Sequence, residues 1–133
     1  MQFTMPDYVI LIVDDLDRAL HFYTDVLGLR LGHRSGDYAQ LDTGATRLGF
    51  YTRRAMEKTL GFSLHPPTQT APGFEVGFKV PDVDAAFAEL VAHGATPATP
   101  PTTRPWGQRT AYVRDPDGHL IELAQDLGRS GTH

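Results

Sequence analysis

Chemistry at neutral pH needs side chains that ionise, ligate or stack, and this sequence offers a narrow choice of them. It has six histidines and no cysteine. The histidines are His21, His33, His65, His93, His119 and His133. None forms a pair at i and i+4 on one element, the spacing that aims two imidazoles at one ion. Each reads as a surface residue, including His119 after the turn glycine Gly118. Without cysteine there is no thiolate metal site, no cysteine nucleophile and no disulfide framework. No nucleophile elbow, phosphate loop or paired Ser/His arrangement occurs. What remains is carboxylates and rings. Glu75 and Glu122 are candidate acids; Tyr8, Tyr38, Tyr51, Tyr112 and the single Trp106 are candidate stacking surfaces. An aromatic ring with a polar edge gives contact area and a hydrogen bond at once.

The elements that must position these residues recur half a chain apart. Val9-Ile10-Leu11-Ile12-Val13-Asp14-Asp15-Leu16-Asp17-Arg18-Ala19-Leu20 is matched in register by Val76-Gly77-Phe78-Lys79-Val80-Pro81-Asp82-Val83-Asp84-Ala85-Ala86-Phe87. Each copy is an apolar β-rich run, an acidic turn and a helix, so the chain reads as a duplication. Tyr8–Val13 is a strand, and Asp14 and Asp15 suit a helix N-cap. The apolar stripe Leu16, Ala19, Leu20, Tyr23, Leu27 predicts a helix that Gly28 ends. A second helix is predicted from about Asp82 to His93, stopped by Gly94. Short runs at Leu29–Arg34, Tyr38–Asp42 and Thr46–Thr52 follow the first helix. After the second come Ala95–Thr99, Gln108–Arg114 and His119–Ala124, the last two joined by the turn Asp115-Pro116-Asp117-Gly118. The fold class is therefore α+β, one domain spanning 1–133 built from two βαβββ modules. The modules run about 6–52 and 73–126 and are joined by a 53–72 loop with a helical turn at Arg54–Leu60. A second loop, Pro100–Gly107, carries Trp106 and is placed to close over a site.

Alternation along the strands sorts residues onto two faces. Val9, Leu11, Val13, Ala39, Leu41, Leu48, Phe50, Phe74, Val76, Phe78, Val80, Ala111, Val113, Ile121 and Leu123 form an apolar face for the helices. The opposite face carries Tyr8, Tyr38, Arg47, Gly49, Tyr51, Glu75, Tyr112 and Glu122. A sheet face of aromatics beside charges is either solvated or lines a cup. In the solvated case Glu75 and Glu122 pair with Arg47, Lys79 or Arg114, and Trp106 anchors its own loop.

Composition bounds the rest. The chain has 133 residues, 41% hydrophobic and 21% charged, an ordinary globular balance. With 12 basic and 16 acidic side chains the formal charge is −4, and no basic run marks a nucleic-acid surface. No stretch approaches the ~18 apolar residues of a membrane span. Met1 to Pro6 does not read as a signal peptide, and the lack of cysteine fits a cytoplasmic setting.

The motifs Val13-Asp14-Asp15-Leu16, Phe22-Tyr23 and Leu27-Gly28-Leu29 point to a known family. So do Val80-Pro81-Asp82-Val83, His93-Gly94 and Arg114-Asp115-Pro116-Asp117-Gly118-His119-Leu120-Ile121-Glu122-Leu123. Nearly the whole chain resembles the vicinal oxygen chelate superfamily, the glyoxalase, bleomycin-resistance and extradiol-dioxygenase group. The resemblance implies two modules forming a curved mixed sheet around a cavity, usually in a homodimer. It also places the metal ligands of the metal-dependent members at Tyr8, Gly49, Glu75 and Glu122 here. Glycine offers no donor, and a phenol with a pKa of ~10 is a poor ligand. A catalytic zinc site takes about three protein donors. The expectation is therefore no metal and no cofactor. The chain most resembles the metal-free, antibiotic-sequestering members, which hold a drug without altering it. Its ligand would be aromatic, stacked by the tyrosines and Trp106, with Glu75 and Glu122 as walls for a cation. The alternatives are a metal-dependent lyase or isomerase, an extradiol-type dioxygenase, a metal-free enzyme using a cavity carboxylate as base, and a structural dimer with a filled cavity. Partners are a small molecule and a second copy of the chain, with no nucleic acid and no membrane.

Overall fold

The structure is a computed structural model, described here for residue 6, residues 8–65 and residues 74–128. The chain divides into two compact units, Met1–Pro66 and Pro67–His133. It is an α+β protein with two four-stranded mixed sheets, and each sheet has the same internal order.

In the first unit, β1 (Tyr8–Val13), β2 (Leu31–Ser35), β3 (Tyr38–Leu41) and β4 (Arg47–Thr52) lie in the order β1-β4-β3-β2. β1 runs parallel to β4, and the other pairs are antiparallel. The parallel pair needs a crossover, and α1 (Leu16–Leu20) supplies it. Asp15, not Asp14, caps that helix, its Oδ1 accepting from the Arg18 N–H at 3.1 Å. Asp14 instead pairs with Arg53, whose Nε donates to its Oδ1 at 2.7 Å.

The single regular helix expected over Leu16–Leu27 is corrected in its second half. His21–Val26 is a π-helix, in which the Leu27 N–H donates to the Phe22 carbonyl at 2.9 Å. Thr24 assists, its hydroxyl donating to the Leu20 carbonyl at 2.7 Å. A wider turn rotates successive residues by less, and both Phe22 and Tyr23 are buried. Tyr23 packs on Phe50 with ring centroids 4.7 Å apart. Leu11, Val13, Ala39, Leu41 and Leu48 complete this core.

The expected linker begins with a helix of two turns. α2 (Arg53–Leu60) is capped by the Thr52 hydroxyl, which accepts from the Ala55 N–H at 3.2 Å, and ends at Gly61 in the left-handed region (φ 84°). It belongs to the first unit and packs against β4 and β1.

In the second unit, β5 (Glu75–Lys79), β6 (Thr96–Arg104), β7 (Gln108–Arg114) and β8 (Leu120–Asp126) lie in the order β5-β8-β7-β6. The crossover is α3 (Val83–Ala92), capped by Asp82, whose Oδ1 accepts from the Ala85 N–H at 3.1 Å. Ala111, Val113, Ile121, Leu123, Val83 and Leu90 form the core. Phe74, assigned to the apolar face, is instead 51% exposed and precedes the strand. The loop expected at Pro100–Gly107 is corrected too. β6 continues to Arg104 and pairs with β7 through Thr102, Thr103 and Arg104. It is the sheet's edge, where a proline's missing N–H costs no ladder bond, and two register shifts accommodate the rest.

His119, read as a surface residue, is buried. The turn holds it: Asp115 Oδ1 accepts from the His119 N–H at 2.8 Å and from the Asp117 N–H at 2.9 Å. No helix among the described residues is long and apolar enough to cross a membrane.

Phe50 is wholly buried against Tyr23. Phe50→Ala is expected to lower unfolding stability by about 3–5 kcal/mol, read by urea denaturation.

Candidate functional site

The polar face of the first sheet carries a pocket. Its walls are Tyr8 and Ile10 from β1, Tyr38 and Gln40 from β3, Arg47 and Tyr51 from β4, and Met56 from α2, and its volume is about 470 Å³. The strand residues are alternates on three adjacent strands, so the pleat puts them on one side. The register sets Tyr8 beside Arg47 and Tyr38 beside Tyr51. The Tyr38 and Tyr51 rings meet edge to face with centroids 6.2 Å apart. Tyr38 Oη donates to Gln40 Oε1 at 2.7 Å. Tyr51 Oη and Thr59 Oγ1 share a hydrogen bond of 3.2 Å, which ties the strand to α2.

Gly49 lies beneath this wall rather than in it. A Cβ there would stand 2.9 Å from Ile10 Cδ1, 3.1 Å from Tyr38 Oη and 3.2 Å from the Ala39 carbonyl oxygen. The missing side chain is what allows Ile10 and Tyr38 to close over the strand.

The second unit holds the remaining candidates. Glu122 on β8 is buried, and its Oε2 accepts from Tyr112 Oη at 2.8 Å. Gly77 is its neighbour on β5, and a Cβ there would stand 3.1 Å from Glu122 Oε1. Burial, then the hydrogen bond to Glu122, then the charges of Glu122 and Glu75 push the Tyr112 hydroxyl up to about 12, with Arg104 acting the other way. Glu75 is exposed. Lys79 and Arg114 are the partners expected for the glutamates if the face is solvated. Lys79 Nζ donates to Asp126 Oδ1 at 2.8 Å and Arg114 Nη1 to the Gly118 carbonyl at 3.3 Å.

Trp106 sits in the tight turn between β6 and β7, not in a long closing loop. Its Nε1 donates to Gln108 Oε1 at 2.9 Å, and Gln108 Nε2 donates in turn to Asp126 Oδ1 at 3.1 Å.

Of the candidates read from the sequence, Tyr8, Tyr38, Arg47 and Tyr51 share one pocket of the first unit, and Glu75, Trp106, Tyr112 and Glu122 belong to the second unit. Ile10, Gln40 and Met56 join them in the wall without being among the sequence candidates. Ile10 and Gln40 were legible from the same alternation. Met56 depends on α2, whose signal was Thr52 as an N-cap directly after a strand.

The positions implied for a metal do not fit one. Gly49 has no donor and its space is taken by Ile10 and Tyr38, while Tyr8 offers a phenol in place of the usual imidazole or carboxylate. Among the described residues no group of three or more His, Asp or Glu could hold an ion.

Comparison with known proteins fits this architecture. The family model described as the Glyoxalase/Bleomycin resistance protein/Dioxygenase superfamily matches residues 6–123. The chain belongs to that superfamily. The uncharacterized protein YraH of Bacillus subtilis is 34% identical over 123 residues, covering 88% of this chain and 94% of YraH. The lactoylglutathione lyase GLX1 of Arabidopsis thaliana is 29% identical over 123 residues, covering 89% of this chain but 43% of the lyase. A crystal structure of a glyoxalase/bleomycin resistance protein/dioxygenase from Nocardioides shares the fold, with a TM-score of 0.84 at 22% identity over all of this chain and 90% of that one.

The raised Tyr112 value has a consequence for pH. A hydroxyl held protonated adds stability that is complete below the unfolded value of ~10 and is lost as pH rises through about 12. Spectrophotometric titration of tyrosinate is expected to include a late-titrating contribution from Tyr112. That contribution should vanish in Tyr112→Phe and move towards the ordinary value in Glu122→Gln.

Proposed function

We propose that this protein is a small-molecule binding protein that captures a planar aromatic ligand reversibly, in the manner of the antibiotic-sequestering members of its superfamily. The pocket of the first unit carries this reading. Its volume of about 470 Å³ falls within the ~300–1,000 Å³ of ordinary ligand sites. Three tyrosines supply flat contact area, and Ile10 and Met56 supply an apolar surface. Burial and stacking would provide most of the affinity, with the polar edges of Gln40, Arg47 and Tyr8 fixing orientation. Capture of this kind needs no metal or cofactor.

The second reading is a lyase or isomerase of the glyoxalase kind, or a dioxygenase, and the likeness to GLX1 favours it. Against it stand Tyr8 and Gly49 at two of the four implied ligand positions. Stoichiometric metal in purified protein, lost in Glu75→Gln and Glu122→Gln, would support that reading over ours.

The test is calorimetric titration with a panel of bicyclic aromatics. We expect micromolar binding by at least one, weakened about 5- to 150-fold in Tyr51→Ala, since a stacked ring contributes on the order of 1–3 kcal/mol. No response across the panel would reject the reading. The proposal includes a homodimer, supported by exposed apolar side chains such as Leu31 on the edge strand β2 and Phe62. Light scattering should return twice the chain mass.

A further inference from the structure

The wall of the tyrosine pocket includes an amide, Gln40 on β3, and a neighbouring phenol sets which way that amide faces. We infer that the pocket of the first unit selects a planar ring with a hydrogen-bond acceptor at its edge. Gln40 reads that acceptor, and Tyr38 is the positioning residue that turns the Gln40 donors towards it. The inference rests on the capture reading above and adds the hydrogen-bonding character of the ligand.

Three observations carry it. First, Tyr38 and Gln40 are two residues apart on β3, so both side chains stand on the pocket face. Tyr38 Oη donates to Gln40 Oε1 at 2.7 Å. A carboxamide has an acceptor oxygen and two N–H donors, and this bond engages the oxygen. What the amide presents to a ligand is its donors. In a half-buried wall a donor rewards an acceptor and is costly to cover without one.

Second, the phenol is held where it can do this. In register, Gln40 lies opposite Gly49 on β4, and Tyr38 lies opposite Tyr51. A Cβ at Gly49 would stand 3.1 Å from Tyr38 Oη, so the glycine leaves the space in which the phenol meets the amide. The Tyr38 ring also rests edge to face on that of Tyr51. Third, the Tyr51 hydroxyl shares a hydrogen bond of 3.2 Å with Thr59 on α2. Both phenols of the ring pair therefore have partners, and the amide N–H groups beside them are not taken up in those bonds. An acceptor at the edge of a ring stacked there meets a donor, whereas a donor at the same edge faces another donor.

The probes are quinoline, whose ring nitrogen accepts, and indole, whose ring N–H donates. Both are planar bicyclics of similar hydrophobicity, and both are uncharged at mildly alkaline pH. Calorimetric titration into the full chain is expected to find quinoline bound about tenfold more tightly than indole. Tyr51→Ala should weaken the two alike. In Gln40→Glu the carboxylate still accepts from Tyr38 Oη but has no N–H, so the order should invert. In Tyr38→Phe the amide is released and can turn either edge to the ligand, so the two should bind within about twofold of each other. A Tyr38 that only packs the wall would leave the preference for quinoline in place. If indole binds the unaltered protein as tightly as quinoline, the inference is overturned and the capture reading stands. If neither binds while another bicyclic does, the inference again falls alone; if no bicyclic binds, both fail. Should either variant not fold by circular dichroism, the other variant and the ranking in the unaltered protein decide.

Discussion

Each sheet is organised around a side chain that is missing. On the parallel strand pair of the first unit, Gly49 faces Ile10; on that of the second, Gly77 faces Glu122. The two modules therefore put glycine on opposite members of the same pair. Neighbouring side chains on one sheet face compete for a fixed volume, and the glycine decides which of them lies down over the backbone. In the first unit Ile10 and Tyr38 occupy the space over Gly49, leaving an apolar floor with rings around it. In the second unit a carboxylate leans over Gly77, where it is buried and takes the hydroxyl of Tyr112. One duplicated framework thus carries an aromatic pocket in one copy and a buried acid–phenol pair in the other.

The helices act on these sites from the strands' ends. Asp15 and Asp82 cap the equivalent helices in the two modules, satisfying backbone donors that would otherwise be orphaned. Asp84 on α3 is gripped by both Nε and Nη2 of Arg109 on β7, at 2.8 and 2.9 Å, and the hydrogen bond holds its carboxyl below the usual range. The first unit keeps a pair at the matching position, Asp17 with Arg34 on β2 at 2.7 Å, and adds Arg53, which joins α2 to Asp14 after β1. That link matters for the pocket, because α2 carries Met56 into its wall and is tied to Tyr51 through Thr59. A segment that looked like a connector is a structural part of the candidate site.

The acidic balance of the whole chain says little about its ligand. Charge acts through the few groups that face a site at short range, not through the net charge of the chain. The carboxylates at the positions where metal-dependent relatives keep ligands lie in the second unit, and one already serves as acceptor for a phenol. The residues that depart from a metal site and those that build the aromatic pocket overlap: Tyr8 and Gly49 do both.

The local patterns were enough to read both modules, because each depends on periodicity, turn chemistry and capping that act within a few residues. β1 and β7 fall where alternation puts them, and Asp115-Pro116-Asp117-Gly118 turns as its composition requires. The sorting of Tyr8, Tyr38, Arg47 and Tyr51 onto one face followed from the pleat alone. What no local rule contains is pairing. Only the sheet order places β6 at an edge, where Pro100 and Pro101 can continue a strand and so reduce the expected Trp106 loop to a turn. Only cross-strand register sets Gly49 under Tyr38 and Gly77 under Glu122, and those contacts between residues distant in sequence decide where the cavity and the buried acid lie.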